Sequence, residues 1–166
     1  MHIYIIRHGI AIDMLDAKVD DDADRWLTDV GISRMEKVAK GLKKLVPDFE
    51  CISTSPYLRA EQTANLIAQA YSSPPPVEKT PLLEPGATLL DIEKLAQKIS
   101  DDGCVAMVGH QPDCSEIISA LIGSSKPEQI EMRKGAVCRI DVQGALLPGS
   151  GLLCWLLQPR CLRHIH

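Results

Sequence analysis

Aromatic residues are scarce in this chain: one Phe, two Trp and three Tyr make up 4% of 166 residues. A platform that stacks unpaired bases needs several exposed rings, so this scarcity tells against nucleic-acid binding. An excess of positive charge is missing as well. Eighteen Lys and Arg face 22 Asp and Glu, a net charge of −4, so no whole-molecule field draws in nucleic acid or an anionic membrane. Any anion must be held by a local site. No apolar run approaches the roughly 20 residues that cross a bilayer, and Met1 to Ile6 is too short for the apolar core of a secretion signal. Among six cysteines no CxxC pair occurs, and Cys51, Cys104, Cys114, Cys138, Cys154 and Cys161 are expected to be reduced thiols filling core space in a soluble, cytoplasmic protein. What remains is ordinary, 45% hydrophobic and 24% charged, and predicts one domain over residues 1–166 with a core that needs no metal or disulfide.

Ile3-Tyr4-Ile5-Ile6 is a continuous apolar run closed by charge and glycine, and Val105-Ala106-Met107-Val108 repeats it. Both read as central strands covered on two faces. Ile32, Met35, Val38, Ala39, Leu42, Leu45 and Val46 form a helical stripe, opened by Thr28 as N-cap and stopped before Pro47. Ser55-Pro56 predicts a second helix with Ser at the N-cap and Pro at the first helical position. A third runs from about Thr88 through Ile92, Leu95 and Ile99, and a fourth opens at Asp113, with Glu116 completing a capping box and Gly123 near its end. Glu50 to Thr54 and a short segment at Val77 are further strands. Residues 136–157 read as a hairpin, because Cys138, Ile140 and Val142 alternate with Arg139 and Asp141 before Leu152 to Leu157 returns. Strand-helix alternation ending in a hairpin predicts an α/β fold: a three-layer α/β/α sandwich with a mostly parallel central sheet and an antiparallel edge.

In an open α/β sheet, ligands bind beyond the carboxyl ends of the strands. There stand Arg7-His8-Gly9, then Ser53-Thr54-Ser55-Pro56 leading to Arg59, then Gly109-His110. Arginine forks and helix N-termini suit phosphate oxygens. A neutral imidazole can attack phosphorus while nearby cations offset the charge on the equatorial oxygens, and Gly9 would leave space for the approach. Taken singly, each residue has a plain structural reading: an edge ion pair for Arg7, a capped turn for His8, a solvated helix charge for Arg59, a helix start for His110. All four at strand exits point instead to one phosphoryl pocket. Zinc is not indicated at the pocket, since no HxH, HExxH or CxxC includes His8 or His110. His2 reads as a surface residue at a strand start, and His164 and His166 as a frayed tail.

These residues resemble the motifs of the histidine phosphatase superfamily, also called phosphoglycerate mutase-like. The segments are Arg7-His8-Gly9, the run from Ser55 through Arg59 to Thr63, and Val108-Gly109-His110-Gln111-Pro112. The resemblance spans nearly the whole chain, and with the Arg25-Trp26-Leu27-Thr28 segment it is closest to the SixA-type phosphohistidine phosphatases. It implies that His8 is a nucleophile that becomes transiently phosphorylated, that Arg7, Arg59 and His110 hold the phosphoryl oxygens, and that no metal or cofactor is needed. Arg25 would stand at the rim against the anion, with a salt bridge to the Asp20, Asp21, Asp22 and Asp24 cluster as the alternative. The cluster itself reads as a solvated loop rather than a metal site. Glu84, after the third strand, is the candidate general acid, or else a loop carboxylate in water. A P–N bond releases an imidazole that can already carry a proton, so phosphohistidine demands less of an acid than an alkyl ester. Only Glu84-Pro85-Gly86-Ala87 separates Leu83 from Thr88, too little for a lid. An open site suits a phosphorylated partner protein, such as a histidine-phosphotransfer domain or a phosphotransferase-system carrier, better than an enclosed metabolite. A small-molecule phosphomonoesterase using Glu84 and a phosphoprotein-binding module without turnover are the alternatives.

Overall fold

Six strands build one sheet in the order β3-β2-β4-β1-β5-β6, comprising β1 (His2–Arg7), β2 (Cys51–Thr54), β3 (Val77–Lys79), β4 (Cys104–Gly109), β5 (Val137–Val142) and β6 (Gly151–Leu157). The computed structural model describes residues 1–165; the expectation for His166 lies outside them. The pairs among β1 to β4 are parallel, and β5 and β6 add an antiparallel edge. This is the predicted mostly parallel sheet with its hairpin. Register then fixes the site: Arg7 pairs with Gly109 and Thr54 with Val108, so the chain leaves β1, β2 and β4 at one level.

The continuous apolar runs are explained by burial on both faces. On one face Ile3, Ile5, Val105 and Met107 pack against α4 (Leu89–Ala96) and α5 (Asp113–Leu121) through Ile92, Leu95, Ile117 and Ile118. On the other, Tyr4, Ile6, Ala106 and Val108 meet α2 (Asp29–Leu45) and α3 (Leu58–Gln69) through Met35, Val38, Leu42, Ala64 and Ile67. Short helices α1 (Met14–Ala17) and α6 (Pro159–Leu162) complete the set. Thr28 caps α2 as expected, its Oγ1 accepting from Gly31 N–H at 3.0 Å. Gly31 matters for a second reason: a Cβ there would collide with the Ile10 carbonyl, so only glycine lets α2 lie against the segment that follows β1.

Four local expectations are corrected. α3 begins at Leu58 rather than at Pro56, because the Ser55 hydroxyl is drawn to His110 Nε2 at 2.8 Å as well as to Tyr57 N–H. α5 has no capping box: Asp113 lies inside the helix, and its carboxylate accepts from Gly86 N–H at 2.9 Å instead. α4 stops at Ala96, short of Ile99. The six cysteines are free, but only Cys114 and Cys138 are buried, while Cys154 on the edge strand and Cys161 are exposed. No described helix is long and apolar enough to cross a membrane.

Candidate active site

The exits of β1 and β4 are stitched together by His8 N–H donating to the Gly109 carbonyl at 3.1 Å. From the hairpin side, Gly135 N–H donates to the carbonyls of both Arg7 and His8. α3 supplies the third wall. Thr63 Oγ1 accepts from Gly9 N–H at 3.0 Å and donates to the Arg59 carbonyl at 2.7 Å, which ties the turn after β1 to the turn of helix that carries Arg59. Gln62 Oε1 accepts from Leu27 N–H at 2.7 Å and draws in the segment beginning at Arg25. Gly9 does not open space for a ligand: a Cβ there would lie 2.7 Å from Met35 Cγ, so the glycine serves close packing against α2.

His8, Arg59 and His110 are brought together in a buried pocket, exposed by only 6%, 5% and 3%. His8 Nδ1 lies 2.7 Å from the Gly9 carbonyl. A carbonyl can only accept, so Nδ1 carries the proton and Nε2 keeps a lone pair, toward which Arg59 Nε–H points at 3.3 Å. His110 Nδ1 meets an Arg59 N–H at 3.5 Å, at the outer limit of a hydrogen bond, and its Nε2–H then donates to Ser55 Oγ. Burial first, and then the positive charge of His110, Arg59 and Arg7, pushes His8 down to about 3 against the support of the Gly9 carbonyl. Burial and Arg59 push His110 down to about 4. Both imidazoles are therefore neutral across the physiological range.

Arg7 is the last residue of β1, directly before His8. Its Nη1 donates to the Met132 carbonyl at 2.7 Å, while its Nε is buried with no partner among the described residues. A cavity of about 410 Å³ opens beside it between Gln111, Ser115 and Met132. Glu84 follows the Pro81–Leu83 turn, half-buried, and no hydrogen bond or ion pair holds its carboxylate among the described residues. No hydrogen bond joins it to either histidine among the described residues.

Asp22 is the residue that sequence reasoning misjudged. It is no solvated loop carboxylate: Oδ2 accepts from Arg59 Nη2 at 2.7 Å, Oδ1 accepts from Arg25 Nη1 at 2.7 Å, and its carbonyl accepts from Arg59 Nη1 at 2.6 Å. Burial alone would raise this carboxyl, but the hydrogen bonds from Arg25 and Arg59 hold it below its ordinary value. Arg25 accordingly forms the ion pair with the acidic cluster, and through that ion pair it also reaches the pocket. The segment between β1 and α2 thus covers the site that the short Glu84 loop was expected to leave open. Partners 37 residues apart leave no local pattern, so only the abundance of aspartate beside a phosphate-like motif could have signalled it.

Two arginines and two neutral histidines at the carboxyl ends of a parallel sheet define an oxyanion-handling α/β enzyme. The chain belongs to the histidine phosphatase superfamily, whose branch 1 sequence profile matches residues 3–84. An uncharacterized protein of Picosynechococcus sp. is 36% identical over 140 residues, 82% of each chain. Phosphohistidine phosphatase SixA of Escherichia coli is 27% identical over 161 residues, covering 96% of this chain and 94% of its own. A structure of the protein histidine phosphatase SixA complexed with tungstate superposes with a TM-score of 0.83 at 25% identity, over 98% of this chain and 99% of the other. These matches support phosphatase activity.

Proposed function

We propose that this protein is a phosphohistidine phosphatase that takes the phosphoryl group from a histidine of a partner protein onto its own His8. The observation that carries the reading is the His8 tautomer: Nδ1–H is spent on Gly9, and the Nε2 lone pair is held neutral among arginine donors. In the first step Nε2 attacks phosphorus in line, and the P–N bond of the substrate breaks with its electron pair returning to the departing imidazole. Arg7 and Arg59 stabilise the equatorial oxygens, His110 joins them by turning its Nε2–H from Ser55 Oγ to a phosphoryl oxygen, and Asp22 gives up the Arg25 and Arg59 donors to them. In the second step water attacks phosphorus, the bond to His8 breaks, and both water protons leave with the phosphate. The arginine guanidiniums supply the positive charge, so the scheme calls for no metal. Because the leaving imidazole already carries a proton on its other nitrogen, Glu84 is dispensable.

A substrate panel tests this reading. A phosphorylated histidine-phosphotransfer domain or phosphotransferase-system carrier, an aryl phosphate and an alkyl phosphate are compared in wild type and Glu84→Gln. The expected result is the highest kcat/KM on the phosphohistidine protein, changed by less than about twofold in the variant. Preference for the alkyl ester, lost in Glu84→Gln, would instead assign a small-molecule phosphomonoesterase with Glu84 as acid. Tight binding of the phosphoprotein with no turnover would assign a binding module.

A further inference from the structure

The net charge of −4 conceals one face of opposite sign. α2 carries Arg34, Lys37 and Lys40 at i, i+3 and i+6, a single stripe of the helix. Beside it, α6 and the residues after it bring Arg160, Arg163 and His164. Lys37, Lys40, Arg160, Arg163 and His164 line a cavity of about 610 Å³, and among the described residues its walls hold no carboxylate and no Phe, Tyr or Trp ring. A smaller recess joins Arg34 and Arg163 to Lys134, Ile10 and Gly9, so the face runs up to the residue after His8. There burial, followed by the charges of Arg7 and Arg25, lowers the Lys134 ammonium pKa.

Among the described residues none of Arg34, Lys37, Lys40, Lys134, Arg160 and Arg163 forms an ion pair, whereas Arg25, Arg59, Lys79, Lys94, Arg133 and Arg139 all do. Like charges gathered without counterions repel one another and weaken the isolated fold. A partner that brings the counterions reverses the sign of that term. The stripe from Arg34 to Lys40 rises about 9 Å along α2, which matches carboxylates on two turns of a facing helix. It is far shorter than the turn of roughly 34 Å over which a duplex repeats its phosphates. We propose that this basic face docks an acidic surface of the phosphoprotein substrate, seating carboxylates on Lys37, Lys40, Arg160 and Arg163 while the phosphohistidine enters past Lys134. The inference rests on the reading of the substrate as a phosphoprotein.

The test is the charge reversal Lys37→Glu/Lys40→Glu, at exposed helix positions remote from the phosphoryl pocket. Two substrates are compared: free phosphohistidine and an acidic histidine-phosphotransfer domain phosphorylated with phosphoramidate. The expected result is a fall of at least about tenfold in kcat/KM on the domain, carried by KM, with free phosphohistidine within about twofold of wild type. Raising salt from about 0.05 to 0.3 M should weaken the wild type on the domain several-fold and leave the variant nearly flat. Lys37→Arg/Lys40→Arg should behave as wild type. An unchanged kcat/KM on the domain, or an equal loss on both substrates, overturns the proposal. Anisotropy titration of the unphosphorylated domain provides a readout independent of turnover. If the wild type turns over an aryl phosphate but neither phosphohistidine substrate, the functional reading fails, and salt-dependent binding of the acidic domain, lost in the charge-reversal variant, still upholds the docking face. Binding that is absent, or affected by the reversal only for phosphatidylserine vesicles or duplex DNA, overturns it.

Discussion

β1 starts at His2 and is followed directly by His8, and its two ends treat charge in opposite ways. At the amino end His2 Nδ1 lies 2.8 Å from Asp141 Oδ1, and Arg139 donates to both oxygens of the same carboxylate at 2.8 and 3.0 Å. Burial alone would raise Asp141, but the bonds from Arg139 and His2 hold it down to about 2. That end is internally balanced. At the carboxyl end, beside His8 and His110, Arg59 meets one carboxylate, Asp22, while Arg7 Nε is buried with no partner among the described residues. Buried positive charge with so little counter-charge is a standing demand for an anion with several oxygens, whereas a self-neutralised cluster asks for nothing.

Breaking the carboxyl end should cost activity far more than breaking the amino end. His8→Ala removes the nucleophile and should lower kcat by about a thousandfold or more with circular dichroism unchanged; residual turnover within tenfold of wild type contradicts the scheme. His110→Ala deletes one donor to the phosphoryl oxygens, and steady-state assays should register a loss of about a hundredfold. Asp22→Asn weakens the internal competitor for Arg25 and Arg59, so inorganic phosphate should inhibit the variant several-fold more tightly than wild type. Equal or weaker inhibition would make Asp22 a positioning group for Arg59 instead.

Acid should also separate the two ends. His8 and His110 stay neutral in the folded chain down to about 3 and 4, while in the unfolded chain they protonate near 6.5. The unfolded state therefore binds more protons below that value, and stability falls as pH drops from about 6.5 toward about 4. Urea midpoints measured at both ends of this range should show a shallower fall in the His8→Ala/His110→Ala double variant. The smallest effect belongs to the amino end: Asp141→Asn should cost about 1 kcal/mol of stability and leave kcat within about twofold. A larger loss of kcat would mean that the two ends are coupled.

What was legible in the sequence follows the range of the forces involved. The apolar runs of β1 and β4 and the stripe of α2 are set by burial, which is periodic and local, and each lies where expected. The convergence of Arg59 and His110 on His8 followed from strand exits alone, because a parallel sheet aligns its carboxyl ends. Side chains with distant partners were misread. Ser55 and Asp113 look like helix caps, yet one reaches His110 and the other Gly86. Asp22 looks solvated within a run of aspartates, yet it lies on Arg59. In each case the local pattern offers a plausible acceptor role, and the partner that wins is set by tertiary approach.

The central claim is a covalent bond between phosphorus and His8 Nε2. Rapid mixing with acetyl phosphate or phosphoramidate, acid-free quenching and intact-protein mass spectrometry with peptide mapping test it directly. One phosphoryl group is expected on the peptide carrying His8, lost on incubation and absent from His8→Ala. Turnover with no adduct at any mixing time, or an adduct on another residue, would contradict it.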